Sequence, residues 1–242
     1  MNITAIIQAR MGSTRLPGKV MKQLVDRTVL GHVITRCQAI PSINKIVVAT
    51  TTLDEDKEIC DEALNYGVSV YRGSKDDVLN RYYEAATREQ SDVVVRITSD
   101  CPLLDPKVSE KVILHFLMND YDYVSSGLSR TFPRGLDTEV FTFEALEQAH
   151  EQATKDYEFE HVTPYIYQNP EQFKVHAFSN HLDQSRYRLT LDTYEDWQLI
   201  SKIYDALYNG DIFYWKNMLE LLEREPKLPQ INAEVRQKEL GE

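Results

Sequence analysis

Cysteine is scarce in this sequence, and its distribution excludes folds stabilised by a disulfide framework or by a cysteine-bound metal. The chain has 242 residues and only three cysteines. Their odd number and wide spacing match neither a disulfide framework nor a metal-binding motif. We therefore expect a protein of a reducing compartment and predict a cytoplasmic location. The three thiols are Cys37, Cys60 and Cys101.

Basic residues are also few. The chain has 27 Lys and Arg against 38 Asp and Glu, which gives a formal net charge of -11. A protein that binds nucleic acid through the phosphate backbone usually presents a cationic face. We therefore predict no nucleic-acid partner, and any basic binding site must be local.

Long apolar runs are missing as well. No stretch is long enough to span a bilayer, and the N-terminus lacks a basic segment followed by an apolar core and a cleavage site. We expect no membrane association. The hydrophobic content of 42% in a chain of this length suffices for the core of one large domain.

Short β-branched segments alternate with helical patterns through the first half of the chain, which is typical of a parallel sheet. The predicted strands are 3–8, 45–50, 68–71, 93–98 and 123–125. The predicted helices are 30–40, 54–66, 77–89 and 106–119. This order predicts an α/β fold, a Rossmann-like three-layer sandwich with a mixed, mostly parallel sheet.

The alternation ends after residue 127. The later elements are a loop and strand over 132–141, a helix over 143–153, a segment over 159–167, strands at 174–178 and 188–191, and a helix over 197–208. Residues 192–196 form the start of that last helix, with Thr193 as its N-cap and acidic residues in its first turn. We predict a single domain over 1–225, with an excursion at about 130–180, and a polar tail over 226–242.

The carboxyl ends of the predicted strands locate a binding site. In open parallel sheets, ligands collect at these ends. The loops that follow the strands should therefore converge. They are residues 9–19, 50–55, 73–77 and 99–105.

The loop after the first strand carries the strongest functional signal. Residues 8–19 are QARMGSTRLPGK, in which Gly12 and Ser13 let main-chain N–H groups approach phosphate oxygens. The alternative is a surface turn with solvated cations. The spacings of the Walker A motif and of the GxGxxG fingerprint are absent, so a phosphate site of another kind is predicted. The cations that can neutralise a polyanion there are Arg10, Arg15 and Lys19.

Two aspartates are candidate metal ligands because each follows a predicted strand. Asp100 follows strand 93–98, where a carboxylate facing a phosphate loop suits Mg²⁺, which needs only one or two carboxylates. Its residue type fits a turn cap before Pro102 equally well. Asp192 follows strand 188–191, and its residue type alone favours an acid at a helix start. Residue types leave both assignments open.

Residues 8–19 closely resemble the signature of the cytidylyltransferases that activate Kdo and sialic acids. Within that superfamily the chain is most similar to the spore coat polysaccharide biosynthesis protein SpsF family. The similarity covers most of residues 1–210 and includes the motifs at 72–74, 77–82, 98–103 and 189–193. It implies a nucleotide-diphospho-sugar transferase fold, CTP as the nucleotide, magnesium as the metal, and a homodimer formed through the excursion.

The resemblance also implies roles for individual residues. Asp100 and Asp192 become magnesium ligands. The catalytic residues are Arg10, Arg15 and Lys19, which stabilise the triphosphate and the departing pyrophosphate. The nucleotide-binding residues are Gln8, Ala9, Arg10, Gly12, Ser13, Lys19, Arg72, Gly73, Ser74 and Arg81, of which the last four lie near the nucleobase and ribose.

The acceptor pocket is predicted in a later part of the chain. A bound sugar acid needs a cation and several hydrogen-bonding groups, which Arg134, Asp137, Glu139 and His161 can supply, although ordinary surface charge explains them equally well. The sequence departs from the Kdo-type pattern in two ways. Gln8 stands where a proline is usual, and the acceptor region matches neither Kdo nor sialate motifs.

The predicted reaction is magnesium-dependent nucleotidyl transfer from CTP to a sugar or sugar acid, giving a CMP-sugar and pyrophosphate for surface polysaccharide or spore coat biosynthesis. One alternative is a nucleotide-sugar-dependent glycosyltransferase of related fold, but the Ser99-Asp100-Cys101 segment supplies a single carboxylate where a DxD motif has two. Another is a non-catalytic nucleotide-binding subunit. A pure binding protein has less need of two metal ligands on separate strands.

Overall fold

Strands and helices alternate through the first half of the fold, as predicted. The structure, a computed structural model, describes residues 1–237 and 240. Within them the strands are β1 (Ile3–Gln8), β2 (Gln23–Leu24), β3 (Arg27–Thr28), β4 (Lys45–Thr51), β5 (Ser69–Gly73), β6 (Val93–Thr98), β7 (Tyr123–Ser125), β8 (Glu139–Thr142) and β9 (Val175–Ala177). The helices are α1 (Val29–Gln38), α2 (Lys57–Asn65), α3 (Val78–Glu89), α4 (Pro106–Leu117), α5 (Phe143–Gln152), α6 (Asp156–His161), α7 (Pro164–Gln168), α8 (Tyr194–Leu207) and α9 (Trp215–Arg224).

Seven of these strands form one mixed sheet in the order β5-β4-β1-β6-β8-β7-β9. The first four are parallel to one another. Strand β8 is antiparallel to both β6 and β7, and β9 is parallel to β7. The prediction of a mixed, mostly parallel sheet is confirmed.

Helices cover both faces of the sheet, which explains the apolar character of its central strand. In β1, Ile7 belongs to a core cluster that includes residues of α1, α2 and α4, whereas Ile6 belongs to a second cluster with residues of α3 and α5. Parallel strands buried on both faces have continuous apolar sequences rather than alternating ones. The predicted three-layer sandwich is therefore confirmed.

Side-chain caps fix several helix starts next to the strand ends. Asp105 accepts hydrogen bonds from Lys107 N and Val108 N before Pro106, the first residue of α4. Thr193 accepts from Asp196 N at the start of α8, so the predicted N-cap is confirmed. These caps satisfy N–H groups that have no partner within the helix.

Residues 188–191 do not form the predicted strand, and this prediction is wrong. They are extended, but they contain only an isolated bridge between Arg188 and Arg134. Leu189 N donates to Arg134 O at 2.7 Å, and Leu191 N donates to Asp100 O at 2.8 Å. Polar and apolar residues alternate in this segment because Leu189 and Leu191 pack in a core cluster with residues of α8 and α9. Its main-chain partners are two loops rather than a strand.

Other element boundaries also differ from the predictions. The helix predicted over 54–66 begins with a separate turn of 3₁₀ helix, and the segment predicted over 159–167 divides into α6 and α7. The helix predicted after the N-cap Thr193 extends from Tyr194 to Leu207, one residue short of the predicted end at 208. The β2–β3 hairpin and α9 were not predicted.

Part of the predicted polar tail packs on the domain. Residues 229–232 form a 3₁₀ turn, and Asn232 is buried there. Its side-chain amide donates to Arg188 O at 3.0 Å and to Asp196 Oδ1 at 2.8 Å. Residues 238, 239, 241 and 242 of the predicted tail lie outside the described residues. The domain boundary at 225 and the homodimer through the excursion stay predictions.

Among the described residues, no helix combines the length and the hydropathy that a membrane span requires.

The burial of His32 in the core can be tested through the pH dependence of the free energy of unfolding. Its ring is buried against Tyr204, and Nε2 donates to Leu24 O at 2.7 Å. Burial lowers the pKa of His32 from 6.5 to about 4, although the hydrogen bond to Leu24 opposes this shift. Between these values the unfolded chain binds the proton and the folded chain does not, so stability falls as the pH falls through this window. We expect the free energy of unfolding to fall by about 3 kcal/mol from this residue.

Urea unfolding at pH 7.5 and pH 4 measures this loss, with His32→Gln as the matched control. Glutamine can donate to the same carbonyl oxygen but does not titrate. The variant should therefore lose about 3 kcal/mol less than the wild type over this range, whatever its absolute stability. Equal losses in the two proteins would show that His32 does not set the acid response.

Candidate nucleotide-binding site

A cavity of about 710 Å³ lies at the carboxyl ends of β1 and β6. It brings together residues that the sequence predicted separately, from the first loop, from the two candidate metal ligands and from the acceptor region. The predicted residues that line it are Gln8, Ala9, Arg10, Gly12, Ser13, Arg15, Lys19, Arg81, Asp100, Arg134, Asp137, Glu139, His161 and Asp192.

Asp56 fixes the main chain of the first loop, residues 9–19. This carboxylate is buried, accepts a hydrogen bond from Met11 N at 2.7 Å, and is bonded to the Thr51 hydroxyl at the end of β4. Gly18 N and Ser13 N both donate to Met11 O. Gly18 has a φ of 64°, a left-handed conformation that glycine adopts without strain. The turn at Gly18 leads directly into Lys19.

Several N–H groups of this loop remain available to a ligand. Gly12, Thr14 and Arg15 line the cavity, and their main-chain N–H groups have no acceptor within residues 1–237 and 240. Ser13 was predicted to offer its N–H group together with Gly12, but it donates at 2.8 Å to Met11 O. Free N–H groups beside cations are typical of a phosphate site.

Lys19 joins the two candidate metal ligands. Its Nζ lies 2.9 Å from Asp100 Oδ2 and 2.8 Å from Asp192 Oδ1, and it also donates to Leu191 O at 2.7 Å. Burial alone would lower the pKa of Lys19, but the two aspartates raise it above its usual value. Burial would likewise raise the pKa of Asp100, but Lys19 brings it to about 2. Lys19 and Asp100 are therefore both charged at neutral pH.

The other oxygen of Asp192 faces two arginines. Arg188 donates to Asp192 Oδ2 at 2.8 Å, and the guanidinium of Arg15 lies 3.2 Å from the same oxygen. Arg188 also donates to Asp196, which is completely buried. The sequence reasoning missed Arg188 and placed Asp196 only as a first-turn charge. The regular alternation of residues 187–192 is a signal that could have identified Arg188, because it places Arg188 and Asp192 on the same side.

The arrangement fits a magnesium ion. Asp100 and Asp192 both contact the Lys19 ammonium, so one oxygen of each carboxylate already points to the same positively charged group. Within the described part of the chain, no three His, Cys, Asp or Glu side chains cluster as a metal site. Magnesium commonly takes one or two carboxylates, with water and phosphate oxygens completing its shell. This donor set suits that ion better than a closed structural metal site.

In the predicted acceptor region, both carboxylates already have partners. Glu139 forms an ion pair with Arg96 and accepts hydrogen bonds from the hydroxyls of Tyr123 at 2.8 Å and Thr163 at 2.6 Å. Asp137 pairs with Arg130 at 2.7 Å. The sequence reasoning did not identify Arg96 or Arg130, because a cation within or after a strand carries no motif of its own.

Arg134 and His161 are the predicted acceptor residues with the least engaged side chains. Among the described residues, Arg134 has no carboxylate within ion-pair distance. Burial lowers the pKa of both side chains. A half-buried cation with no anionic partner in a cavity can bind an anionic group of a ligand.

Gly135 allows the acceptor region to approach the segment that carries Asp192. It has a φ of 105°, and a Cβ atom on it would lie 2.5 Å from both C and O of Leu189. No larger residue fits without moving the main chain. Gly135 thereby permits the bridge between Arg134 and Arg188 and places Arg134 at the cavity.

The structure does not bring the remaining predicted nucleotide-binding residues, Arg72, Gly73 and Ser74, to the described lining of this cavity. Arg72 donates to Thr51 O and to Leu53 O. Ser74 O accepts from Arg81, which is buried and does line the cavity. Contact of these three residues with a nucleobase or ribose stays a prediction.

Comparison with known proteins adds relatives that match nearly the whole chain. The chain is 42% identical over 247 residues to an uncharacterized protein of Methanocaldococcus jannaschii, with coverage of 100% of this chain and 99% of that protein. It is 32% identical over 234 residues to the spore coat polysaccharide biosynthesis protein SpsF of Bacillus subtilis, with coverage of 93% and 95%.

Solved structures agree with these relatives. A cytidylyltransferase from Leptospira borgpetersenii is 36% identical and superposes with a TM-score of 0.91 over 99% of each chain. A CMP-2-keto-3-deoxy-manno-octonic acid synthetase complexed with CTP superposes with a TM-score of 0.66 at 13% identity, over 85% of this chain and 99% of that one. The second likeness shows a shared fold alone.

The family model described as "Cytidylyltransferase" matches residues 4–240, which include the cationic loop and both aspartates that flank Lys19. The fold is the Rossmann-like fold of nucleotidyltransferases. On this match and on the similarity to SpsF, the chain belongs to the cytidylyltransferase family.

Proposed function

We propose that this protein is a magnesium-dependent cytidylyltransferase that transfers CMP from CTP to an oxygen of a sugar or sugar acid. The observation that carries the proposal is the position of Lys19 between Asp100 and Asp192, in the same cavity as the free N–H groups of the first loop. The names of two similar proteins, SpsF and the cytidylyltransferase from Leptospira borgpetersenii, support a polysaccharide pathway and a cytidine nucleotide. We extend the proposal to biosynthesis of a surface or spore coat polysaccharide.

The loop and its cations bind the triphosphate in this proposal. The N–H groups of Gly12 and Thr14 donate to phosphate oxygens, while Arg10, Arg15 and Lys19 neutralise the charge that develops on pyrophosphate. Asp100 and Asp192 would hold the magnesium ion, which supplies further neutralisation of phosphate charge when bound. Phosphoryl and nucleotidyl transfers need positioning and charge neutralisation more than covalent catalysis.

The acceptor binds in the part of the cavity beyond Asp100. Arg134 attracts an anionic group, and His161 offers a ring nitrogen for a hydroxyl. Glu139 is a poor proton acceptor because Arg96, Tyr123 and Thr163 already engage its carboxylate. We therefore assign Glu139 to shaping the pocket rather than to deprotonating the acceptor.

A pyrophosphate-release assay tests the proposal. The protein is incubated with magnesium, each of the four nucleoside triphosphates, and a panel of sugar acids and sugar phosphates. We expect release with CTP and at least one acceptor, and less release with the other nucleotides. The CMP-sugar is then identified by mass spectrometry.

Two controls make the assay decisive. Reactions without acceptor measure simple hydrolysis, and reactions with nucleotide-sugars in place of CTP measure glycosyl transfer. Sugar transfer without pyrophosphate release would replace the proposal with the glycosyltransferase alternative. CTP binding without turnover on any acceptor would favour a non-catalytic subunit.

A further inference from the structure

Asp192 is held through both of its carboxylate oxygens, and the two oxygens have different partners. Oδ1 lies 2.8 Å from Lys19 Nζ, whereas Oδ2 accepts a hydrogen bond from Arg188 at 2.8 Å. Arg15 also approaches Oδ2, at 3.2 Å. Under the proposed function, Lys19 and Arg15 bind the triphosphate. Arg188 does not line the described part of the cavity, so it is the partner that stays with Asp192.

Arg188 itself is fixed by a buried carboxylate. Asp196 is completely buried, and its two oxygens accept from Arg188 Nε at 2.9 Å and from the terminal nitrogen at 3.1 Å. The same Asp196 accepts from the main-chain N–H groups of Asp192 at 2.9 Å and Thr193 at 3.0 Å. One carboxylate therefore fixes the main chain of Asp192 directly and its side chain through Arg188.

The C-terminal segment completes this arrangement. Asn232 donates to Arg188 O and to Asp196 Oδ1, and Gln237 Oε1 accepts from Arg188 at 2.7 Å. Residues of a predicted polar tail thus support a side chain that contacts the site. Partners behind a metal ligand commonly set its orientation and its affinity for the metal.

We propose that Arg188 is a positioning residue for Asp192, which it orients so that Oδ1 shares one cation position with Asp100. The inference rests on the proposed function and adds a residue to it. It concerns orientation, because the fork of a guanidinium can bridge Asp192 and Asp196 simultaneously. A lysine at this position would keep the charge but could not reproduce the fork.

This distinction gives the proposal a sharp test. If Arg188 acted only through its positive charge, its removal would make the site more negative and strengthen binding of a divalent cation, and Arg188→Lys would resemble the wild type. If it orients Asp192, Arg188→Lys weakens metal binding although the net charge is unchanged. The two explanations therefore predict different results for one conservative variant.

The experiment measures CTP binding by calorimetry at a series of MgCl₂ concentrations, for the wild type, Arg188→Lys and Arg188→Gln. We expect Arg188→Lys to require about tenfold more magnesium for half of the full gain in CTP affinity. Its affinity for CTP without metal should stay within about twofold of the wild type. Arg186→Lys is the matched control, because Arg186 is exposed in the same segment and its guanidinium contacts the Tyr187 hydroxyl.

A folded Arg188→Lys variant with the magnesium requirement of the wild type would overturn the proposal, as would tighter metal binding by Arg188→Gln. If neither variant folds, Asn232→Leu provides the test. We expect its magnesium requirement to increase by about threefold, because it loses the hydrogen bonds of Asn232 to Arg188 O and Asp196 but keeps those between Arg188, Asp192 and Asp196. An unchanged requirement in that variant would also count against the proposal. Failure of the wild type to release pyrophosphate would overturn the proposed function instead, because these binding measurements do not require turnover.

Discussion

Replacing Lys19 with methionine is expected to lower kcat/KM for CTP by about 1000-fold. Methionine has a similar length but no charge, so the triphosphate loses a cation and the two aspartates lose the ammonium between them. Because Lys19 is only 12% exposed, the metal-free protein should also lose about 3 kcal/mol of unfolding free energy, the usual cost of breaking a buried ion pair. Pyrophosphate release and urea unfolding measure the two effects.

Magnesium and a neighbouring lysine provide the controls for this prediction. Millimolar MgCl₂ should restore part of the stability of Lys19→Met, since a divalent cation can take the place of the ammonium between the aspartates. Lys22→Met is the matched control. Residues Lys19–Met21 form a short 3₁₀ helix, and Lys22 follows it directly but has its ammonium over the ring of Trp197. If Lys22→Met lost as much activity as Lys19→Met, a specific role for Lys19 would be wrong.

Replacing Asp192 with asparagine is expected to reduce kcat/KM by about 100- to 1000-fold, the range for loss of one preorganised electrostatic group. The reason differs from that for Lys19, because in the proposed site the Asp192 carboxylate lies close to an anionic substrate. Its removal frees Lys19 and Arg15, so CTP binding without metal should be unchanged or tighter. The stimulation of binding by magnesium should be lost. Calorimetry with and without MgCl₂ measures both results.

The exposed neighbour Glu195 gives the control for this variant. Glu195→Gln removes one negative charge from the first turn of the same helix, and it should leave the magnesium response within about twofold of that of the wild type. Weaker metal-free binding of CTP by Asp192→Asn would contradict the assignment, because it would mean that Asp192 contacts the nucleotide favourably.

Much of the fold could be predicted because local sequence and tertiary structure agree. β1 is mostly apolar because helices cover both faces of the sheet, and Asp105 before Pro106 is a strong helix-start signal. The segment 188–191 shows where such reasoning fails. Alternation of polar and apolar residues indicates that one side of an extended segment is buried in a core. It does not indicate whether the main chain of that segment pairs with a strand or with loops.

The site was predictable to the extent that it follows strand ends. Gly12, Lys19 and Asp100 lie in the segments that follow β1 or β6, and parallel strands bring such segments together. Arg188 does not follow a strand end, although the alternation of residues 187–192 places it on the same side as Asp192. Arg96 could not be assigned in this way, because its importance depends on Glu139, a carboxylate from a distant part of the chain. The acceptor pocket stays less defined than the nucleotide loop for the same reason.

The ion pairs of Lys19 also indicate the order in which parts of the protein can fold. Lys19 is separated by 81 residues from Asp100 and by 173 from Asp192. Contacts between such distant positions form only after the intervening chain has been ordered, since closing long loops costs entropy. A growing chain on the ribosome can therefore form its first strands and its phosphate loop long before the second aspartate is available. Under the proposed function, metal-dependent nucleotide affinity would therefore develop only after Asp192 has joined the fold.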